Sequence, residues 1–163
     1  MALLPPFPYT LTQKWGPTAN VYEPAMYGYL GRAWWNWQPY PFKKYYHFHP
    51  GIDLAAPAGT PIYASESGIV TAAGWNGSSG LRVNVTIRYS PHVKYVHGHM
   101  QSIAVVVGQK VKRGQLLGRV GKTGTATGPH SHFGIQIGSM LYDPRLFLPG
   151  GYNANDWRIK PVY

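Results

Sequence analysis

Leu81-Arg82-Val83-Asn84-Val85-Thr86-Ile87-Arg88-Tyr89 alternates apolar and polar side chains over its whole length. Successive side chains of a strand point to opposite faces, so this run reads as a half-buried β-strand. Asn76-Gly77-Ser78-Ser79-Gly80 precedes it and has the composition of a hairpin loop. On the far side of that loop, Gly68-Ile69-Val70-Thr71-Ala72-Ala73 is short, apolar and β-prone. Further runs of the same character occupy residues 9–13, 61–64, 94–100, 104–107, 115–120 and 132–137, most of them bounded by Gly or Pro. Asp143-Pro144-Arg145-Leu146-Phe147-Leu148 reads as a short capped helix, and no helix longer than two turns is expected.

The composition agrees. Only 12% of the 163 residues are charged, against 20 glycines and 15 prolines, which suits turns and short strands rather than long surface helices. The expected fold is all-β, in one domain of ordinary size. No run reaches the roughly 18 to 20 apolar residues of a membrane span, and Met1-Ala2-Leu3-Leu4-Pro5-Pro6 lacks the basic and apolar regions of a signal peptide. There is no cysteine, so neither disulfides nor thiolate metal sites are available. The net charge of +10 favours polyanionic partners such as anionic cell-wall polymers or an outer-membrane surface. The basic residues are scattered and form no nucleic-acid signature, so nucleic acid is not expected as a partner. Trp34, Trp35, Trp37 and Tyr46 fall in a segment rich in Pro, Gly and aromatics, and those rings must pack over the domain as a lid or line a substrate groove.

Six of the seven histidines occur as pairs: His47/His49, His97/His99 and His130/His132. On a strand, residues i and i+2 share a face, so each pair could deliver both imidazoles into one space. Asp53 follows His49 after Pro-Gly-Ile, in a chain with only five carboxylate side chains. His49, Asp53 and one histidine of the last pair would make a two-nitrogen, one-oxygen zinc site of hydrolytic type, with the fourth position left to water. His130 and His99 are then candidates for moving protons and for hydrogen-bonding an oxyanion. His92 and His47 read as packed or surface histidines, Asp143 as a helix cap, Glu66 as a turn acid and Asp156 as solvated.

Two stretches resemble the lysostaphin-type zinc metalloendopeptidases that cut bacterial peptidoglycan. One is His49-Pro-Gly-Ile-Asp53-Leu-Ala-Ala-Pro-x-Gly-Thr-Pro-Ile-Tyr-Ala; the other runs from Val107-Gly-Gln to Thr-Gly-Pro-His130-x-His132-Phe. The resemblance covers about residues 45–149. It implies an open antiparallel β-sheet with one zinc ion in a groove walled by loops. It also implies zinc ligands His49, Asp53 and His132, and catalytic histidines His130 and His99. Family members usually carry Tyr-Ala-His-Leu where this chain has His97-Gly98-His99-Met100, so His97 stands where tyrosine is common and is either a groove residue relaying protons or a packed side chain. Residues 1–44 would belong to the same domain and 150–163 would form a tail. The hairpin at Gly108-Gln109-Lys110-Val111-Lys112-Arg113-Gly114 is also similar to biotinyl or lipoyl carriers, but the lysine between hydrophobic residues that they require is missing.

The expected function is therefore zinc-dependent endopeptidase cleavage of peptidoglycan stems or cross-bridges, by a monomer acting at the bacterial cell wall. The missing export signal suggests a phage lysin or an excised lytic domain. Two alternatives are a non-catalytic relative that binds wall peptides or activates an amidase, and a structural phage tail component carrying the domain.

Overall fold

The computed structural model of the chain describes residues 3, 6, 9–13, 16–18 and 47–148. Trp34, Trp35, Trp37, Tyr46, Asp156 and the tail 150–163 lie outside the described residues. Twelve strands are present among them: β1 (Thr10–Gln13), β2 (Gly16–Thr18), β3 (His47–His49), β4 (Ile52–Ala55), β5 (Pro61–Tyr63), β6 (Gly68–Trp75), β7 (Leu81–Ile87), β8 (Ser90–Ile103), β9 (Lys110–Val111), β10 (Leu116–Val120), β11 (His130–Ile137) and β12 (Met140–Tyr142). Ten of them form one sheet with the path β1-β4-β11-β8-β7-β6-β9; β12 pairs with β11, and β10 joins β8 to β5. β2 and β3 make a separate two-stranded ribbon, and every pairing is antiparallel.

The alternation of 81–89 is realised on one face. Val83, Val85 and Ile87 are at most 2% exposed, packed with Ile52, Leu54, Tyr95, Phe133 and Ile135 from neighbouring strands. Fully burying such side chains contributes about 1.5–3 kcal/mol each, and this layer is the framework of the fold. Leu3 reaches it from the N-terminal end, held by a backbone bond from its N–H to the carbonyl of Phe147. On the other face Asn84 is also buried, while Arg82 and Thr86 are half-buried.

Two expectations are corrected. Residues 104–107 are not a strand: β8 ends at Ile103, and Val106 and Val107 stand 69% and 61% exposed while only Val105 packs into the core. A run of three valines favours a strand locally, but the chain turns here, the Gln109 N–H bonding back to the Val106 carbonyl and the Gln109 side chain accepting from the Val106 N–H, and context decides. The helix after Asp143 is a single 3-10 turn, Pro144–Leu146.

Asp143 does cap that turn, accepting from the Arg145 N–H at 3.0 Å, and its carboxylate also holds the Arg145 guanidinium at 2.6 Å. Both residues are under 9% exposed. Removing one partner of a buried pair leaves an uncompensated charge, so Asp143→Ala is expected to destabilise the protein by about 3–5 kcal/mol. Urea denaturation monitored by tryptophan fluorescence measures this directly.

Candidate metal centre

Strand register builds the site. Asp53 on β4 lies directly opposite His132 on β11, and Ala55 opposite His130, so Asp53, His130 and His132 share one face while Leu54, Ser131 and Phe133 point into the core. The Pro50-Gly51 bend between β3 and β4 returns His49 to the same place. Glycine is required there: a Cβ on Gly51 would stand 2.5 Å from the Phe133 carbonyl oxygen and 2.7 Å from His132 Nε2. The Pro-Gly-Ile spacing between the two residues thus reflects a chain that passes flat against an imidazole.

The resulting triangle is small. His49 Nε2 lies 2.9 Å from His132 Nδ1 and 3.1 Å from Asp53 Oδ1, and His132 Nδ1 lies 3.3 Å from Asp53 Oδ1. Ligands of a tetrahedral ion with bonds of about 2.0–2.1 Å stand roughly 3.3 Å apart, so these three atoms already form one face of such a tetrahedron. The donor set fits zinc: two imidazoles and one carboxylate, with the fourth position open. Burial alone would raise the Asp53 pKa, but hydrogen bonds and then charge from His132 and His49 hold the carboxyl well below its usual range. Burial chiefly lowers the His132 pKa, against the opposing pull of Asp53. Both groups are therefore deprotonated at neutral pH, as metal ligands must be.

Two more imidazoles stand beside the triangle. His130 Nε2 is 3.6 Å from Asp53 Oδ1, and the His99 ring is centred 4.7 Å from that of His130 and 6.2 Å from that of His132. Each is oriented through Nδ1 by a backbone carbonyl, Thr123 for His99 and Gly128 for His130, both at 2.8 Å. A carbonyl oxygen only accepts, so each Nδ1 donates its hydrogen there and Nε2 is the atom left for proton transfer. Burial, with further repulsion from His130 and His132, lowers the His99 pKa to about 4 despite the bond to Thr123, so the ring is neutral at pH 7.

His99 has φ +58°, the one non-glycine residue with positive φ among those described. The register shows why. Leu81 faces Met100 and Val83 faces His97, so three residues of β8 span two of β7 and a bulge falls at Gly98–His99. A bulge re-aims a side chain, and a left-handed non-glycine residue costs on the order of 1–3 kcal/mol, strain that clusters at functional sites. The bulge also separates the middle pair. The expectation that His97 and His99 share a space does not hold: His97 is opposite Phe133 on the core face, 0% exposed, stacked on that ring at 4.9 Å. Its Nδ1 meets Ser131 Oγ at 3.0 Å, and burial lowers its pKa to about 3. It lines no groove. The His130/His132 pair does share a face, and the side chain of His47 lies outside the described residues.

Elsewhere, His92 is exposed, and Glu66 accepts from the Ser67 N–H in its turn and pairs with Arg113. Thr123 was not a sequence candidate. Its carbonyl orients His99, and its hydroxyl bridges the Leu81 N–H and the Met100 carbonyl. Only the tertiary contact identifies it within a run of similar Thr and Gly residues.

An open antiparallel sheet bearing two histidines and one carboxylate in ligand geometry, flanked by two oriented imidazoles, defines a mononuclear metallohydrolase scaffold. The chain belongs to Peptidase family M23, whose model matches residues 47–144, and the family is zinc-dependent. It is 37% identical over 60% of its length to the peptidoglycan DD-endopeptidase ShyC of Vibrio cholerae, of which it covers 22%. The catalytic domain of the antimicrobial peptidase lysostaphin from Staphylococcus simulans has the same fold. There the TM-score is 0.65 at 27% identity, covering 85% of this chain and 91% of that one. A zinc-containing peptidase from Vibrio cholerae superposes with TM-score 0.67 at 26% identity, covering 88% of this chain and 39% of that chain. The chain spans about a quarter of the length of the curated relatives it matches.

Proposed function

We propose that the protein is a zinc-dependent endopeptidase that hydrolyses peptide bonds of bacterial peptidoglycan, with His49, Asp53 and His132 as zinc ligands and His130 and His99 as catalytic residues. The observation that carries this reading is the convergence of five such side chains in one place, three within ligand distance and two held by backbone carbonyls. Zinc held there supplies a Lewis acid that polarises a peptide carbonyl and lowers the pKa of water to about 7. His130, the nearer of the two to Asp53, accepts the proton of the attacking water at Nε2 and returns it to the leaving amine. His99 can donate to a developing oxyanion only after Nε2 has itself gained a proton, because its other N–H is committed to Thr123.

Residues 45–149 constitute the peptidase core in this reading, and residues 1–44 belong to the same domain. The pairing of β1 with β4 and of β2 with β3 supports that. The net positive charge suits anionic wall polymers at the cell surface, and a phage-encoded lysin is one setting that requires such an enzyme.

Digestion of two purified peptidoglycans, one directly cross-linked and one glycine-bridged, tests the proposal. Mass spectrometry is expected to find new amine and carboxyl ends in one of them, abolished by a chelator and restored by zinc. Absence of new ends from both walls with zinc-loaded protein would overturn it in favour of a wall-binding role.

A further inference from the structure

An arginine lies on the same face of the sheet, near the metal triangle. Arg82 on β7 sits opposite the Gly98–His99 bulge of β8, and Gly98 sits opposite His132 on β11. Arg82 is therefore in the cross-strand row of a metal-triangle histidine, two strands away. Strands are about 4.8 Å apart, which puts its Cα about 10 Å from that of His132. On its other side Arg82 faces Gly74 of β6, so no side chain stands against its stem there.

The surroundings leave its charge unmatched. Arg82 lines an open cleft of about 330 Å³, with Gly74, Trp75, Asn76 and Val107 among its other walls. Its Nε is buried without a hydrogen-bond partner. The three carboxylates among the described residues are engaged elsewhere: Asp53 with histidines, Glu66 with Arg113 and Asp143 with Arg145. Burial lowers the guanidinium pKa, yet an arginine keeps its charge at neutral pH. A partly buried planar cation in an open cleft is suited to a bidentate carboxylate from a ligand.

We propose that Arg82 is the receptor for a substrate carboxylate, making the enzyme selective for acidic peptides laid across the sheet from the metal centre toward β6. The proposal rests on the peptidase reading above and gives it a substrate class. An extended peptide advances about 3.3 Å per residue, so the recognised carboxylate falls about three residues from the cleaved bond.

Cross-linked dimers of peptidoglycan stem peptides, with their carboxylates either free or converted to primary amides, are the probes. On the full zinc-loaded chain, kcat/KM is compared for the two forms. If neither is cleaved, both stay intact and their Kd values are compared by calorimetry on the same protein. The wild type is expected to favour the free carboxylates about 10- to 100-fold, the range of a charge-assisted pair. Arg82→Gln should erase that preference through a loss confined mainly to the free-carboxylate dimer, and Arg82→Lys should keep part of it. An equal loss for both dimers in Arg82→Gln, or no preference in the wild type, would overturn the proposal. No cleavage, but an Arg82-dependent binding preference, would instead reject the peptidase reading and retain the carboxylate site.

Discussion

His49→Ala, Asp53→Ala and His132→Ala are each expected to lose bound zinc and, with it, all measurable hydrolysis. Each deletion leaves two of three ligand atoms in a triangle whose sides are 2.9, 3.1 and 3.3 Å. Loss of an outer-shell partner alone typically costs 10- to 100-fold in metal affinity, and loss of a direct ligand should exceed about 100-fold. Asp53→Ala should be the most severe. It removes the only negative charge of the set and leaves two imidazoles whose nitrogens face one another 2.9 Å apart. Metal content by inductively coupled plasma mass spectrometry, on protein whose fold is verified by circular dichroism, reads this directly. One zinc per chain in any two of these variants would refute the ligand assignment.

His130→Ala and His99→Ala should behave in the opposite way, retaining one zinc per chain while kcat falls about 10²- to 10⁴-fold, the span of a positioned acid or base. Neither belongs to the triangle, and each is oriented by a backbone carbonyl independent of it. The double variant should be little worse than the poorer single one, because groups that serve one proton itinerary are not additive. Metal loss in either single variant would move that histidine into the ligand set.

These outcomes differ between His97 and His99, two residues apart on one strand, and the difference marks where sequence reasoning reached its limit. The core face of β7 was legible from alternation, because period two leaves only one way to bury Val83, Val85 and Ile87. The strand grammar likewise identified β6, β10 and β11 to within a few residues. His-x-His implied a shared face in each pair, which holds for His130 and His132 on regular β11. It fails for His97 and His99 because one extra residue at the bulge inverts the side-chain parity between them. A bulge depends on the partner strand, so no local pattern at 96–100 announces it. The valines of 104–107 failed for a related reason, since the turn closed by Val106 and Gln109 overrides local strand propensity.

The amino-acid sequence by itself determined the all-β class, the absence of thiol chemistry and the short roll of histidines and acids from which a metal site could be drawn. Those follow from composition and period, which are local properties. The tertiary structure decided which of those side chains meet: Asp53 and His132 across two antiparallel strands, Thr123 behind His99, and Arg82 in the row of His132. Contacts of that kind are set by register between strands far apart in the chain, and register is a property of the whole sheet.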